Sequence, residues 1–248
     1  QELGITSLAN LDVNALVKDI LTNEEKLDLV LGIVKDVLDL QVAQAIAVPA
    51  VFGFIGNNEN LTKVFEDAGK LEDFMMLKYY FTLDDVKAYL DVVKVALDLV
   101  DLSQYPEIKV DAFALNPDKL TEVIDELFNV SVTTDLFAIL SEVAINLDVV
   151  ENLLGDALEE VTLEGVDWEA ELKLFVEIYT EFLKFGFEST ADFQGDVIAL
   201  VKDIINDEQQ FEALGNILNK LIDAQVYSKV VAPIAQHFLT KTLVDADL

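Results

Sequence analysis

The chain has 248 residues, of which 52% are apolar, and a formal net charge of −31. That apolar content excludes a disordered polymer, so the carboxylates must coat a sizeable buried core. All sixteen basic residues are lysine and none is arginine, which argues against nucleic acid or an anionic membrane as partner and leaves a protein or a cationic surface.

The first predicted element is a helical hairpin. Asn23 is an N-cap followed by Glu24 and Glu25, and apolar residues then fall at Leu27, Val30, Leu31, Val34, Val37 and Leu38. This spacing predicts one buried helix face. The segment Asp12–Pro49 recurs without a gap at Asp196–Pro233. Asp12-Val13-Asn14-Ala15-Leu16-Val17-Lys18-Asp19-Ile20 returns as Asp196-Val197-Ile198-Ala199-Leu200-Val201-Lys202-Asp203-Ile204, a displacement of 184 positions. Glu24, Asp39, Gln41, Val42 and Pro49 return as Glu208, Asp223, Gln225, Val226 and Pro233. A constant offset over a whole hairpin indicates a duplicated unit, 12–56 and 196–240, of the kind that builds helical arrays.

Gln41–Ile55 reads either as a fully buried central helix kinked at Pro49 or as the wall of a lipid tunnel. Its apolar centre, Ala45–Ile55, is too short to span a bilayer. Phe74-Met75-Met76-Leu77-Lys78-Tyr79-Tyr80-Phe81 suits an adaptable apolar binding surface or the inside of a helix corner. Thr82-x-x-Asp85 predicts a capping box opening a helix that runs to about Leu102. Within it, Leu90-x-x-Val93-Lys94-x-x-Leu97-Asp98-Leu99 echoes the Leu31–Leu40 pattern, so 83–102 is a weaker repeat.

Ser103–Leu115 has no helical period, and Ile108–Phe113 is a short extended piece or a loop. Asn116-Pro117-Asp118 starts a helix with proline at its favoured first position. The frame of Leu136, Leu140, Val143, Leu147 and Asp148 makes 117–154 a second weak echo. Gly155 and Gly186 read as helix stops, Glu159–Val166 as irregular, and Asp167 as the cap of a helix with the seam Trp168, Leu172, Phe175, Tyr179 and Phe182. In the second hairpin copy the stripe becomes Phe211, Leu214, Leu218, Leu221 and Ile222, with Gly215 in place of Leu31. Tyr227, Ser228, Lys229, Gln236 and His237 in the following segment predict a face that reaches solvent.

Catalytic constellations are missing from this pattern. His237 is the single histidine and belongs to no repeated motif, so a nucleophile–histidine–acid triad cannot be assembled. The carboxylate pairs Asp84/Asp85, Glu159/Glu160 and Glu177/Glu181 fall on polar helix faces and lack the facing, apolar setting that glycoside hydrolysis needs. With no cysteine, no Glu-x-x-His and no calcium loop, neither a metal site nor a cofactor is expected beyond unspecific calcium at Asp245/Asp247 or Asn57–Asn60. Nucleotide-binding glycine loops are also absent. The sequons at Asn60 and Asn129 are at chance frequency.

The expectation is an all-α chain, residues 1–248 as one domain, of stacked hairpins forming an irregular α-solenoid or repeat bundle. Its expected role is a non-enzymatic interaction or scaffold module, the alternative being a carrier of a fatty acid or lipid in an interhelical cavity. The absence of cysteine, the acidity and a start at Gln1 without a signal-like region point to a mature or excised chain of an exported or cell-surface protein, with the cytoplasm as the alternative.

Overall fold

The computed structural model describes residues 12–42, 45–46, 49–50, 53, 57–108, 110–146, 150, 154–187 and 197–245. The chain is all-helical, with no strand among the described residues. Most helix starts are fixed by local capping chemistry. Helix α1 (Val13–Leu21) begins where Asp12 Oδ1 accepts from the Ala15 amide at 3.0 Å. In α2 (Glu24–Leu38), Asn23 Oδ1 takes the Lys26 amide at 3.1 Å, and Glu24 and Glu25 face the positive end of the helix dipole. Helices α3 (Glu59–Asp67) and α4 (Leu71–Met76) follow, α4 running into a 3₁₀ turn at Leu77–Tyr79.

The Thr82/Asp85 capping box is formed and opens α5 (Leu83–Leu97). This helix stops short of the predicted Leu102. The Asp101 carboxylate instead accepts from the Ser103 amide and hydroxyl at 3.0 and 2.6 Å and opens a separate 3₁₀ turn, Leu102–Gln104. Ile108 and 110–113 form no strand; Asp111 accepts from the Phe113 amide at 3.0 Å and turns the chain. Asn116 caps α6 (Pro117–Phe128), with Pro117 in the first turn as predicted. After a tight corner α7 (Thr133–Ile145) departs at 105° to α6.

Gly155 has φ +52° and begins a 3₁₀ stretch, Gly155–Glu160, while Gly186 at φ +71° follows the end of α8 (Trp168–Leu183), which Asp167 caps. The second hairpin is α9 (Val197–Asn206) and α10 (Glu208–Asp223), the latter capped by Asp207. A π-helical turn at Tyr227–Val231 leads into α11 (Ala232–Asp245), where Pro233 takes the second position and needs no amide donor.

Packing proceeds along a row. Helix α2 lies on α5, α5 on α6, α6 on α8, and α8 on α10, with α1 and α9 each beside its own hairpin partner. Two hydrophobic centres sit under the middle of this row. One gathers Phe65, Phe74, Leu77 and Val143; the other gathers Val92, Val130 and Val132, and Phe81 packs against both. The Met/aromatic run therefore divides: Phe74 and Leu77 are core, while Met76, Tyr79 and Tyr80 are exposed.

The predicted buried stripe of α2 is corrected. Neither α1 nor α2 contains a buried residue, and Val34 and Val37 are exposed. In α10 Ala213 is buried, but Phe211, Leu218, Leu221 and Ile222 of the predicted stripe are exposed. Of Gln41–Ile55, the described Gln41, Val42, Ala45, Ile46, Pro49 and Ala50 are exposed and Gly53 is half-buried, so that segment is not fully buried there; the remaining positions, including Phe52 and Ile55, lie outside the described residues.

Candidate functional site

Among the described residues two carboxylates are buried, Asp85 and Glu171, and these are where acid–base chemistry would be sought first. Asp85 Oδ2 accepts from the Thr82 amide at 2.7 Å and its hydroxyl at 2.6 Å. Its Oδ1 accepts from the Ser131 amide at 3.2 Å and hydroxyl at 2.7 Å. Burial alone would push this carboxyl up, but the Thr82 and Ser131 hydroxyls and amides outweigh it and hold it below the ordinary carboxylate value. A carboxylate so engaged is a fastening between α5 and the α6–α7 corner.

Glu171, in the first turns of α8, reaches across to the segment after α10. Its two oxygens accept from the amides of Gln225 and Val226 at 2.7 and 3.2 Å, and the Gln225 side chain returns a bond by accepting from the Asp167 amide at 3.2 Å. The carboxylate thus occupies the N-terminal amides of a new helical run, the place where negative charge is most favoured. The sequence pattern showed the capping role of Asp85 but neither its hold on Ser131 nor the role of Glu171, because those partners lie 46 and 54 positions away.

The predicted carboxylate pairs do not converge. Asp84 is exposed while its neighbour Asp85 points inward. Glu177 pairs with Lys220, and Glu181 takes Lys184 at 2.7 Å and Asn216 at 3.1 Å, bonds that hold its carboxyl low. Glu159 is exposed, and the side chain of Glu160 lies outside the described residues. His237 lies half-buried on α11 against Phe238. Among the described residues no group of acidic, histidine or cysteine side chains is arranged to hold a metal ion. Asn57 and Glu59 are exposed, while Asp247 and the side chains of Asn60 and Asp245 lie outside the described residues. Asn129, of the second sequon, is exposed at the end of α6.

A cleft of about 470 Å³ opens between the α1–α2 turn and the end of α5. Its wall mixes Leu21, Leu27, Leu97, Val100 and Leu102 with Glu24, Lys94 and Asp101, a lining as polar as it is apolar. No single described helix is long and apolar enough to cross a membrane.

The larger feature is the relation between the two hairpins. Helix α2 meets α5 through Asp28–Lys94 and Lys35–Asp91, both at 2.5 Å, and Asp39–Lys87. Leu27, Leu31 and Leu38 are half-buried on and beside that side. In α10 the equivalent positions are Phe211, Gly215 and Ile222, and all three are exposed, Phe211 at 56% and Ile222 at 58%. Helix α10 instead uses a different side against α8, through Asn216 and Lys220; Ala213 on the helix and Ala224 just after it are buried. The α2 counterparts of Asn216, Lys220 and Ala224 are Gly32, Asp36 and Leu40; these are exposed, Leu40 at 59%. The side that α2 half-covers against α5 is thus exposed on α10, whereas of the side that α10 turns to α8 the α2 counterparts are exposed apart from Leu29, the counterpart of Ala213, which is half-buried. Comparison with protein-family models, curated proteins and solved structures finds no match for this chain.

Proposed function

We propose that this chain is a non-enzymatic helical interaction module of an exported or cell-surface protein, its related hairpins stacked as an irregular solenoid. The observation that carries the reading is the pair of bare helix sides on related hairpins, α2 with Ile33, Val37 and Leu40 and α10 with Phe211, Leu218 and Ile222. Solvated apolar surface on the second helix of each hairpin marks a place where a further element packs. The buried carboxylates support the same reading, because both are consumed in joining helices. The missing cysteines and the acid surface support placement outside the cytoplasm.

The test joins native mass spectrometry to an apolar-surface dye. The expected result is a bare mass of 27.5 kDa and dye fluorescence on the folded chain, which falls when Phe211, Leu218 and Ile222 are changed together to Gln and falls further when Ile33, Val37 and Leu40 are changed as well. A stoichiometric lipid adduct that survives gentle purification would make the chain a carrier. A folded chain indifferent to the dye would remove the interaction reading.

A further inference from the structure

The bare side of α10 has a chemically defined complement within the chain itself. In the N-terminal hairpin the corresponding side of α2 is half-covered by α5, and the ion pairs run antiparallel: Asp28 to Lys94 at one end, Asp39 to Lys87 at the other. The displacement of 184 positions from Asp12 to Asp196 places Glu212 at Asp28 and Asp223 at Asp39, so both acidic anchors for lysine are kept. Asn219 replaces Lys35 and retains a donor opposite the position of Asp91. Between these anchors Gly215 replaces Leu31. Nothing lies within 4 Å of where its side chain would begin. A glycine inside a helix costs about 1 kcal/mol relative to alanine, and here it leaves a trough in which a second helix backbone can come close.

We propose that this side of α10 is a docking site for an amphipathic helix of the α5 type, supplied by a partner protein. That helix carries an apolar stripe bordered by two lysines seven residues apart, as Lys87 and Lys94 are, and lies antiparallel to α10. The proposal rests on the interaction-module reading and specifies its partner. Charge complementarity selects the ligand: Glu212 and Asp223 stand at the two ends of an apolar strip formed by Phe211, Gly215 and Ile222. A helix with acids at those two positions would be repelled.

The probe is a capped synthetic peptide with the sequence Thr82–Leu99, titrated into the whole chain. The titration is run at about 0.15 M NaCl, where the Debye length of about 8 Å screens long-range repulsion and spares contact pairs. Saturable 1:1 binding is expected, with a dissociation constant below about 1 mM. Changing Glu212→Lys and Asp223→Lys in the chain weakens it about tenfold, as does changing Lys87→Glu and Lys94→Glu in the peptide; the two reversed partners together recover most of the loss. Absence of saturable binding, or binding indifferent to Glu212 and Asp223, overturns the proposal. So does self-association of the chain that alone depends on these two residues, since the occupant would then be a second copy. A chain that keeps the dye response of its α10 side yet ignores the peptide retains the broader reading and loses this one.

Discussion

Ser131 donates to Asp85 twice, from its amide at 3.2 Å and its hydroxyl at 2.7 Å, across 46 positions of sequence. The same carboxylate receives the Thr82 amide and hydroxyl at the start of α5. One buried side chain therefore closes a helix N-terminus and pins the α6–α7 corner to it. Beside it the buried Thr133 contacts the Tyr89 hydroxyl at 3.1 Å and donates to the Leu127 carbonyl at 2.7 Å, which ties α5 to α6 a second time.

Replacing Asp85 with Ala leaves two amides and two hydroxyls without their acceptor. The expected loss is about 2–4 kcal/mol in urea unfolding, with Asp85→Asn intermediate. The pH dependence has a definite sign. The folded carboxyl is held below its unfolded value near 3.9, so its contribution is complete above that value and is lost as pH falls through the lower folded value. The stability gap between the native chain and Asp85→Ala should be flat from about pH 5 to 8 and narrow below about pH 4. A gap that widens on acidification would contradict this assignment.

Glu171→Gln keeps one acceptor oxygen but points an amide donor at the Gln225 or Val226 amide. A loss of about 1–3 kcal/mol is expected. Hydrogen exchange locates it: amides of 225–245 should exchange faster while those of α5 and α6 are unchanged. Uniform acceleration across the chain would mean that Glu171 supports the whole core and not this one junction.

Caps were legible because their chemistry is local. Asn23, Thr82, Asn116 and Asp167 each accept from an amide two or three residues ahead, and each lay where the residue pattern placed it. Helix type was legible from apolar period for the same reason. Burial was not. The stripe from Leu27 to Leu38 records which residues prefer to leave water, and nothing in it records whether a neighbour arrives to cover them. Phe211 and Ile222 continue that pattern and stand in solvent. The capping role of Asp85 was legible, but its hold on Ser131 and the role of Glu171 were not because those donors come from distant turns, and the helix end at Leu97 was missed because Leu99 and Val100 prolong the apolar pattern past it.

Charge should make the chain salt-responsive. Lysines across the row are paired with carboxylates, including Lys173 with Asp125 at 2.6 Å and Glu169 at 2.7 Å, yet 47 acidic residues face only 16 basic ones. The surplus repels itself across the folded surface. Melting temperature should rise as NaCl increases from a few millimolar to about 0.5 M. A flat or falling melting temperature would show that the ion pairs outweigh the surplus.

The central claim, that the second helices of the two hairpins turn different sides to their neighbours, is tested most directly by Gln substitution at two equivalent pairs of positions, read by urea unfolding. Leu38 is half-buried beside α5 and its counterpart Ile222 is bare; Ala224 is buried and its counterpart Leu40 is bare. Leu38→Gln should cost about 1–2 kcal/mol through lost apolar burial, and Ala224→Gln about 1–3 through overpacking. Ile222→Gln and Leu40→Gln should each stay within about 0.5 kcal/mol of the native chain. Equal losses within either pair, or a large loss at Ile222 or Leu40, would contradict the account.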